Sequence, residues 1–213
     1  MESMTTRGGT RWKRFAVVMV PSVAATAAIG VAVAQGALAA SFSVSGQQFE
    51  VAAESLHGWG FVQYGANDVT KQGNKPVAVV GIEKAEITKL CQAVTIPTPF
   101  GKVSMKLQAG GGKDKVKAEK LYIDADDLQA NAKFTNVDIG VSVTDTTKGP
   151  GPAKPGGEHG ERGGYVPGSF AQQADEVEFS DVHQRAWATS AGSFTLPGLK
   201  MGVNMGEADC KNN

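Results

Sequence analysis

No charged residue occurs between Phe15 and Phe49, whereas Arg7, Arg11, Lys13 and Arg14 crowd the positions just before. Phe15–Ala34 is nearly all apolar, and Ala37-Leu38-Ala39 follows with small residues at its outer positions. A basic start, an apolar middle and an A-x-A exit describe an export signal. The uncharged run sits between the lengths of a cleaved signal core and a spanning helix. Cleavage after Ala39 or Ala40 frees a domain. Without cleavage, one N-terminal apolar helix over residues 15–34 tethers the domain to the outer membrane face, with the basic N-terminus inside. The stretch Arg11-Trp12-Lys13-Arg14-Phe15 lacks an adjacent arginine pair, so ordinary secretion is the simpler route. The expected organisation is a signal or signal anchor over 1–40, then a single exported domain over 41–213.

Positive charge is also scarce beyond the leader. Four of the 21 basic residues and one of the 21 acidic residues lie in the first 40, which leaves 17 against 20. A phosphate backbone needs a concentrated positive surface, so nucleic acid is not an expected partner. Lys106, Lys113, Lys115, Lys117 and Lys120 form a local exception. They read as a solvated loop and strand edge, with an anion or lipid-headgroup site as the sharper alternative.

Cysteine and histidine are rare, and that bounds the chemistry. Cys91 and Cys210 are the two cysteines of an exported chain, and an even count there points to a disulfide. No histidine lies near either at ligand spacing, so neither a metal site nor a cofactor is expected. His57, His159 and His183 are the three histidines. His57 and His183 read as rim side chains, and His159 lies in a Gly/Pro-rich insert that cannot hold ligands at fixed distances. No G-x-S-x-G element occurs; Ser169 and Ser193 come nearest, without the flanking pattern or a following helix. Asp124, Asp126 and Asp127 miss the calcium-loop spacing and read as a solvated acidic strand edge. Gly110-Gly111-Gly112 precedes Lys113 but lacks the Ser/Thr and helix of a phosphate loop.

Short runs of Val, Ile, Phe and Thr, alternating with polar residues and separated by Gly, Pro, Asn and Asp, predict an all-β domain. Four runs begin alike: Phe49-Glu50-Val51, Ala85-Glu86-Ile87, Leu121-Tyr122-Ile123 and Val177-Glu178-Phe179. Their third positions, 51, 87, 123 and 179, step by 36, 36 and 56, and the long step contains the Gly/Pro-rich insert at 148–168. A second strand follows in each unit, as in Gly60–Tyr64. Repeated units of this kind bury one face against their neighbours. The expectation is an antiparallel, curved sheet, a β-solenoid-like stack or a sandwich of eight to twelve strands, with Val51, Ile87, Ile123 and Phe179 facing inward. The insert reads as a mobile spacer loop.

The aromatic residues Trp59, Phe61, Tyr64, Trp187 and Phe194 recur in equivalent halves of the first and last units. Core packing accounts for them by default; on an open curved sheet they form a candidate surface for an apolar ligand.

The leader, together with Ala39-Ala40-Ser41-Phe42-Ser43-Val44-Ser45-Gly46, Lys89-Leu90-Cys91-Gln92 and Ala208-Asp209-Cys210, resembles a family of small exported proteins of filamentous, Streptomyces-type actinobacteria. The resemblance spans nearly the whole chain. It implies a cell-envelope location. Many members carry the label "cholesterol esterase", which implies hydrolysis of a sterol or lipid ester, although no nucleophile motif here matches an esterase. Three expectations follow: a non-catalytic envelope protein that binds a lipid or an envelope protein, a lipid-ester hydrolase with an unfamiliar site, or a structural surface protein.

Overall fold

The computed structural model describes residues 47–70, 73–152 and 165–211, with the side chain of residue 69 excepted. The expected helix at 15–34 and His159 lie outside them. The described residues are almost entirely strand: β1 (Phe49–Thr70), β2 (Gly73–Thr88), β3 (Leu90–Thr98), β4 (Gly101–Ala109), β5 (Val116–Ser142), β6 (Phe170–Ser190), β7 (Ser193–Thr195) and β8 (Lys200–Met205). A single 3₁₀ turn covers Val143–Asp145.

All pairings are antiparallel, and four of the strands close on themselves. β1 pairs with β2 on one side and β6 on the other, β2 pairs with β5, and β5 pairs with β6. Closure requires a large stagger. Moving from Leu56 through Ile87 reaches Val116 of β5, whereas moving the other way through Phe179 reaches Ala132 of the same strand. Such a stagger tilts strands steeply, so that a few long ones can enclose a core. The β-solenoid alternative is therefore replaced by a closed antiparallel barrel. The four similar runs lie one on each barrel strand, and Val51, Ile87, Ile123 and Phe179 are all buried in one core.

Strands this long must bend to wrap a narrow core. Residues in left-handed backbone interrupt them at Gly60, Lys89, Lys120, Asn136, Gly140 and Asp181. Each is followed by an apolar residue, and Phe61, Leu90, Leu121 and Val182 at four of these sites enter the barrel core. An extra residue in one strand bends it and increases its twist. For lysine this backbone costs about 1–2 kcal/mol, which core burial of the next side chain offsets. These bends also explain why two short strands per unit are expected from sequence. In β1 and β6 the two halves are one strand with a bend between them.

The barrel core holds Phe61, Phe134 and Phe179, with ring centroids 5.3–6.2 Å apart. Gly58 lets β1 approach its neighbours: a Cβ there would lie 2.8 Å from Ile82 Cγ2 and 3.1 Å from Val177 Cγ1. A second cluster lies on the outer face of the barrel. Val62, Tyr64, Val77 and Val79 are covered by Val143 and Tyr165. Both described ends of the insert are packed rather than free. Tyr165 meets Tyr64 edge-on at 5.8 Å, the Tyr122 hydroxyl donates to the Pro150 carbonyl at 2.9 Å, and buried Gln173 accepts the amides of Thr147 and Lys148. A third cluster joins Ala52, Ala93 and the Cys91–Cys210 disulfide, which closes a loop of 119 residues.

Two substitutions test this packing. Gly58→Ala is expected to lower stability by about 1–3 kcal/mol through overpacking. Cys210→Ser is expected to lower it by about 2–5 kcal/mol. Urea unfolding of each variant against the parent measures both.

Candidate apolar binding face

β3 and β4 continue the lines of β2 and β5 beyond the barrel, and β8 pairs with the outer edge of β4. The three form a wing. Because partners across an antiparallel ladder share a face, the wing is built of rungs. On one face these are Gln92–Leu107–Met201, Val94–Met105–Val203 and Ile96–Val103–Met205. The next rung inward, Leu90–Ala109, belongs to the barrel core. The interior surface of the barrel thus runs outward past Gln92 onto an open sheet. There Met201 is 65 %, Val203 67 % and Met205 70 % exposed, and Phe100 at the outer turn is 91 % exposed. Scattered exposed apolar residues are ordinary, but a contiguous apolar face marks a contact surface.

The opposite face of the wing carries Cys91–Gln108–Lys200, Ala93–Lys106–Gly202 and Thr95–Ser104–Asn204. The C-terminal tail covers part of it. Cys210 is bonded to Cys91, the Ala208 amide donates to Thr95 Oγ1 at 3.4 Å, and Glu207 pairs with Lys102. The two faces of one sheet are therefore treated differently: the polar one is clamped and the apolar one is left open.

The barrel interior itself is nearly full. Its cavity measures about 30 Å³ among Leu56, Ile82, Leu121, Phe179, Val182 and Phe194, room for a water molecule or two. Gln92, Gln184 and Thr189 also line it, and the Thr189 hydroxyl is buried without a hydrogen-bond partner. The β7 residue Phe194 packs against this core.

The five aromatic residues singled out from sequence do not share one surface. Phe61 and Phe194 belong to the barrel core, Tyr64 and Trp187 to the outer cluster, and Trp59 stacks on His57 at 4.1 Å. The bends separate them, because an inserted residue switches the face on which later side chains lie. The open face escaped notice because its alternation is short and broken by Pro97 and Gly202. The signal that could have revealed it is Met201, Val203 and Met205 alternating with Lys200, Gly202 and Asn204.

Other expectations are revised as well. Asp124 is buried, not solvated, because it lies opposite Val79 on the outer face, where the second cluster covers the sheet. Asp126 accepts from Arg185 Nε at 2.8 Å and from Trp187 Nε1 at 3.3 Å. Lys120 is one of the bend residues, and Lys115 lies 3.1 Å from Glu86. Cys91 and Cys210 are bonded as expected.

A shallow groove beside β1 gathers Ser55, His57, Asn131, Lys133, Glu178 and Ser180. His57 Nε2 lies 3.5 Å from Glu176. Among the described residues no hydrogen bond joins a serine hydroxyl to a histidine, so the groove shows no activated nucleophile. Ser169 lies in the connection before β6 and Ser193 on β7, each away from this groove. Among the described residues no cluster of metal-ligating side chains occurs, and no helix is long and apolar enough to cross a membrane.

Residues 45–211 match the model of a family of unknown function, DUF6230. The chain belongs to this family. The match begins before β1 and ends just past Cys210, so it takes in barrel, wing and clamped tail alike. No curated protein and no solved structure matches significantly.

Acid sensitivity follows from the surface ion pairs. A hydrogen bond from Lys133 holds the Glu178 carboxyl below its ordinary 4.5, and Lys148 holds Asp138 below 3.8. A depressed carboxylate contributes stability above its unfolded pKa and loses it as pH falls through the folded value. The melting temperature is expected to be level near neutrality and to fall on acidification below about pH 4.5. Lys133→Met should make the acid limb shallower, as measured by thermal melts across pH.

Proposed function

We propose that the exported domain is a non-catalytic envelope protein that holds a lipid-type apolar molecule on the open face of the β3–β4–β8 wing. One observation carries the reading: the barrel's interior surface continues into solvent as three rungs that are apolar except for Gln92, while the other face of the same strands is mostly polar and clamped. Sheets that keep one face in water present polar side chains there. This one does so on the wrong side for a protein with no apolar partner. Methionine at three of the face positions suits an adaptable contact, since its thioether chain conforms to varied shapes. At the inner end, Gln92 and the Thr189 hydroxyl offer polar partners beside an apolar wall, a setting for the carbonyl or hydroxyl of an amphipathic molecule.

An extracytoplasmic location fits the leader and the disulfide, a bond that persists in oxidising compartments. In this reading residues 15–34 are a cleaved signal or a tether. The hydrolase alternative lacks support from the geometry, because among the described residues no serine hydroxyl is hydrogen-bonded to a histidine. The structural-protein alternative leaves the wing face without an occupant.

Mass spectrometry of organic extracts from the purified exported protein tests the proposal. The expected result is a co-purifying lipid in near-stoichiometric amount, reduced at least about tenfold by Leu107→Glu or Met201→Glu. Protein free of lipid that also fails to bind a fluorescent fatty-acid probe overturns it. So does stoichiometric serine-directed labelling of Ser169 or Ser193 with an esterase activity that the matching Ser→Ala change abolishes.

A further inference from the structure

The outer end of the wing is built to leave water. β3 and β4 are joined by Pro99 and Phe100, between the paired residues Thr98 and Gly101. Phe100 is 91 % exposed, beside the outermost rung of Ile96, Val103 and Met205, of which Ile96 and Met205 are exposed and Val103 half-buried. The backbone donors of this turn are spoken for. Pro99 has no N–H, the Phe100 N–H donates to Thr98 Oγ1 at 3.3 Å, and the Thr98 hydroxyl donates to the Gly101 carbonyl at 2.7 Å. A turn can enter an apolar medium only when its polar backbone groups are satisfied locally. Ordinary solvent-facing turns have no such need.

Charge is distributed to match. β3, β4 and β8 contain Lys102, Lys106 and Lys200 and no acidic residue. With the tail residues Glu207, Asp209 and Lys211 added, the wing remains net positive, although the domain from residue 41 onward is net negative. Lys102 is paired with Glu207; Lys106 and Lys200 lie on the face opposite the apolar rungs. Lysines beside an inserted apolar surface reach the phosphates of the interface with their long stems.

A second copy of the chain is the competing occupant. Pairing β8 edge to edge would lengthen the apolar face and leave it uncovered, so that mode does not satisfy the surface. We infer that the Thr98–Gly101 turn and the outer rungs insert into the interfacial region of an anionic phospholipid bilayer, with Lys106 and Lys200 over its headgroups. The inference deepens the lipid-binding reading and rests on it: the bilayer is the source, or the destination, of the molecule held further in. A lipid leaving the bilayer at the turn would meet apolar side chains along the wing until it reached Gln92 at the inner end.

The test places an indole at the turn by Phe100→Trp and reads its emission in the exported protein with phosphatidylcholine vesicles, with and without phosphatidylglycerol. The expected result is a blue shift and quenching by brominated acyl chains, strongest with the anionic lipid and weakened by salt. Trp12, Trp59 and Trp187 also emit, so the shift and quenching are read as the difference between Phe100→Trp and the parent protein, and that difference reports the wing and not the N-terminal segment. Lys106→Gln with Lys200→Gln should weaken the response roughly fivefold per lysine, and Phe100→Asp should lower vesicle partitioning of the exported domain roughly tenfold to a hundredfold. Unchanged emission with both vesicle types overturns the inference, as does a blue shift that follows protein concentration without vesicles and so reports self-association. The extract experiment separates the two claims. Quenching without a co-purifying lipid leaves docking standing and removes the ligand, whereas a bound lipid without quenching leaves the ligand and removes the docking.

Discussion

Closure of a barrel by only four long strands governs the rest of this molecule. A large stagger lets β5 border β2 near its start and β6 over the rest of its length, and straight strands could not follow that path. The bends at Gly60, Lys89, Lys120 and Asp181 supply the curvature, each turning the next apolar side chain into the core. Three of those four positions hold Lys or Asp in a backbone conformation where glycine is the easy choice. The barrel therefore accepts local strain in exchange for a continuous hydrogen-bonded ring with no free edge.

The wing is the remainder of this construction. Lys89 bends the chain as β2 gives way to β3, and the 110–115 connection separates β4 from β5. Past these points the strands no longer have the opposite wall of the barrel facing them. Their alternation continues unchanged, so side chains that would have been core become surface. The polar face of the wing, by contrast, gains a cover from the tail. An interior surface and an exterior one are thus the same surface, divided only by where the barrel wall ends.

Much of the architecture was legible in the chain. Alternation and turn residues identified an all-β domain, and the four similar runs marked the four barrel strands through Val51, Ile87, Ile123 and Phe179. The pairing of Cys91 with Cys210 was also readable from an even cysteine count. Closure was not, because it depends on a stagger between residues far apart in sequence, such as Leu56, Val116 and Ala132. Burial of Asp124 was hidden for a related reason: the cover over its cross-strand partner Val79 comes from Val143 and Tyr165, the latter far along the chain. The apolar face was hardest to see. An exposed rung and a buried rung have the same composition, and only the absence of an opposing wall distinguishes Val203 from Val177.

The position of the disulfide gives assembly an order. Cys91 stands where β3 departs from the barrel, and its partner Cys210 belongs to the tail that covers the polar face of the wing. Thiols in a reducing cytosol stay apart, so a copy held there would lack this fastening. Oxidation thus completes the two-sided character of the sheet, and a reduced copy keeps its polar face covered only by the Ala208–Thr95 and Glu207–Lys102 contacts.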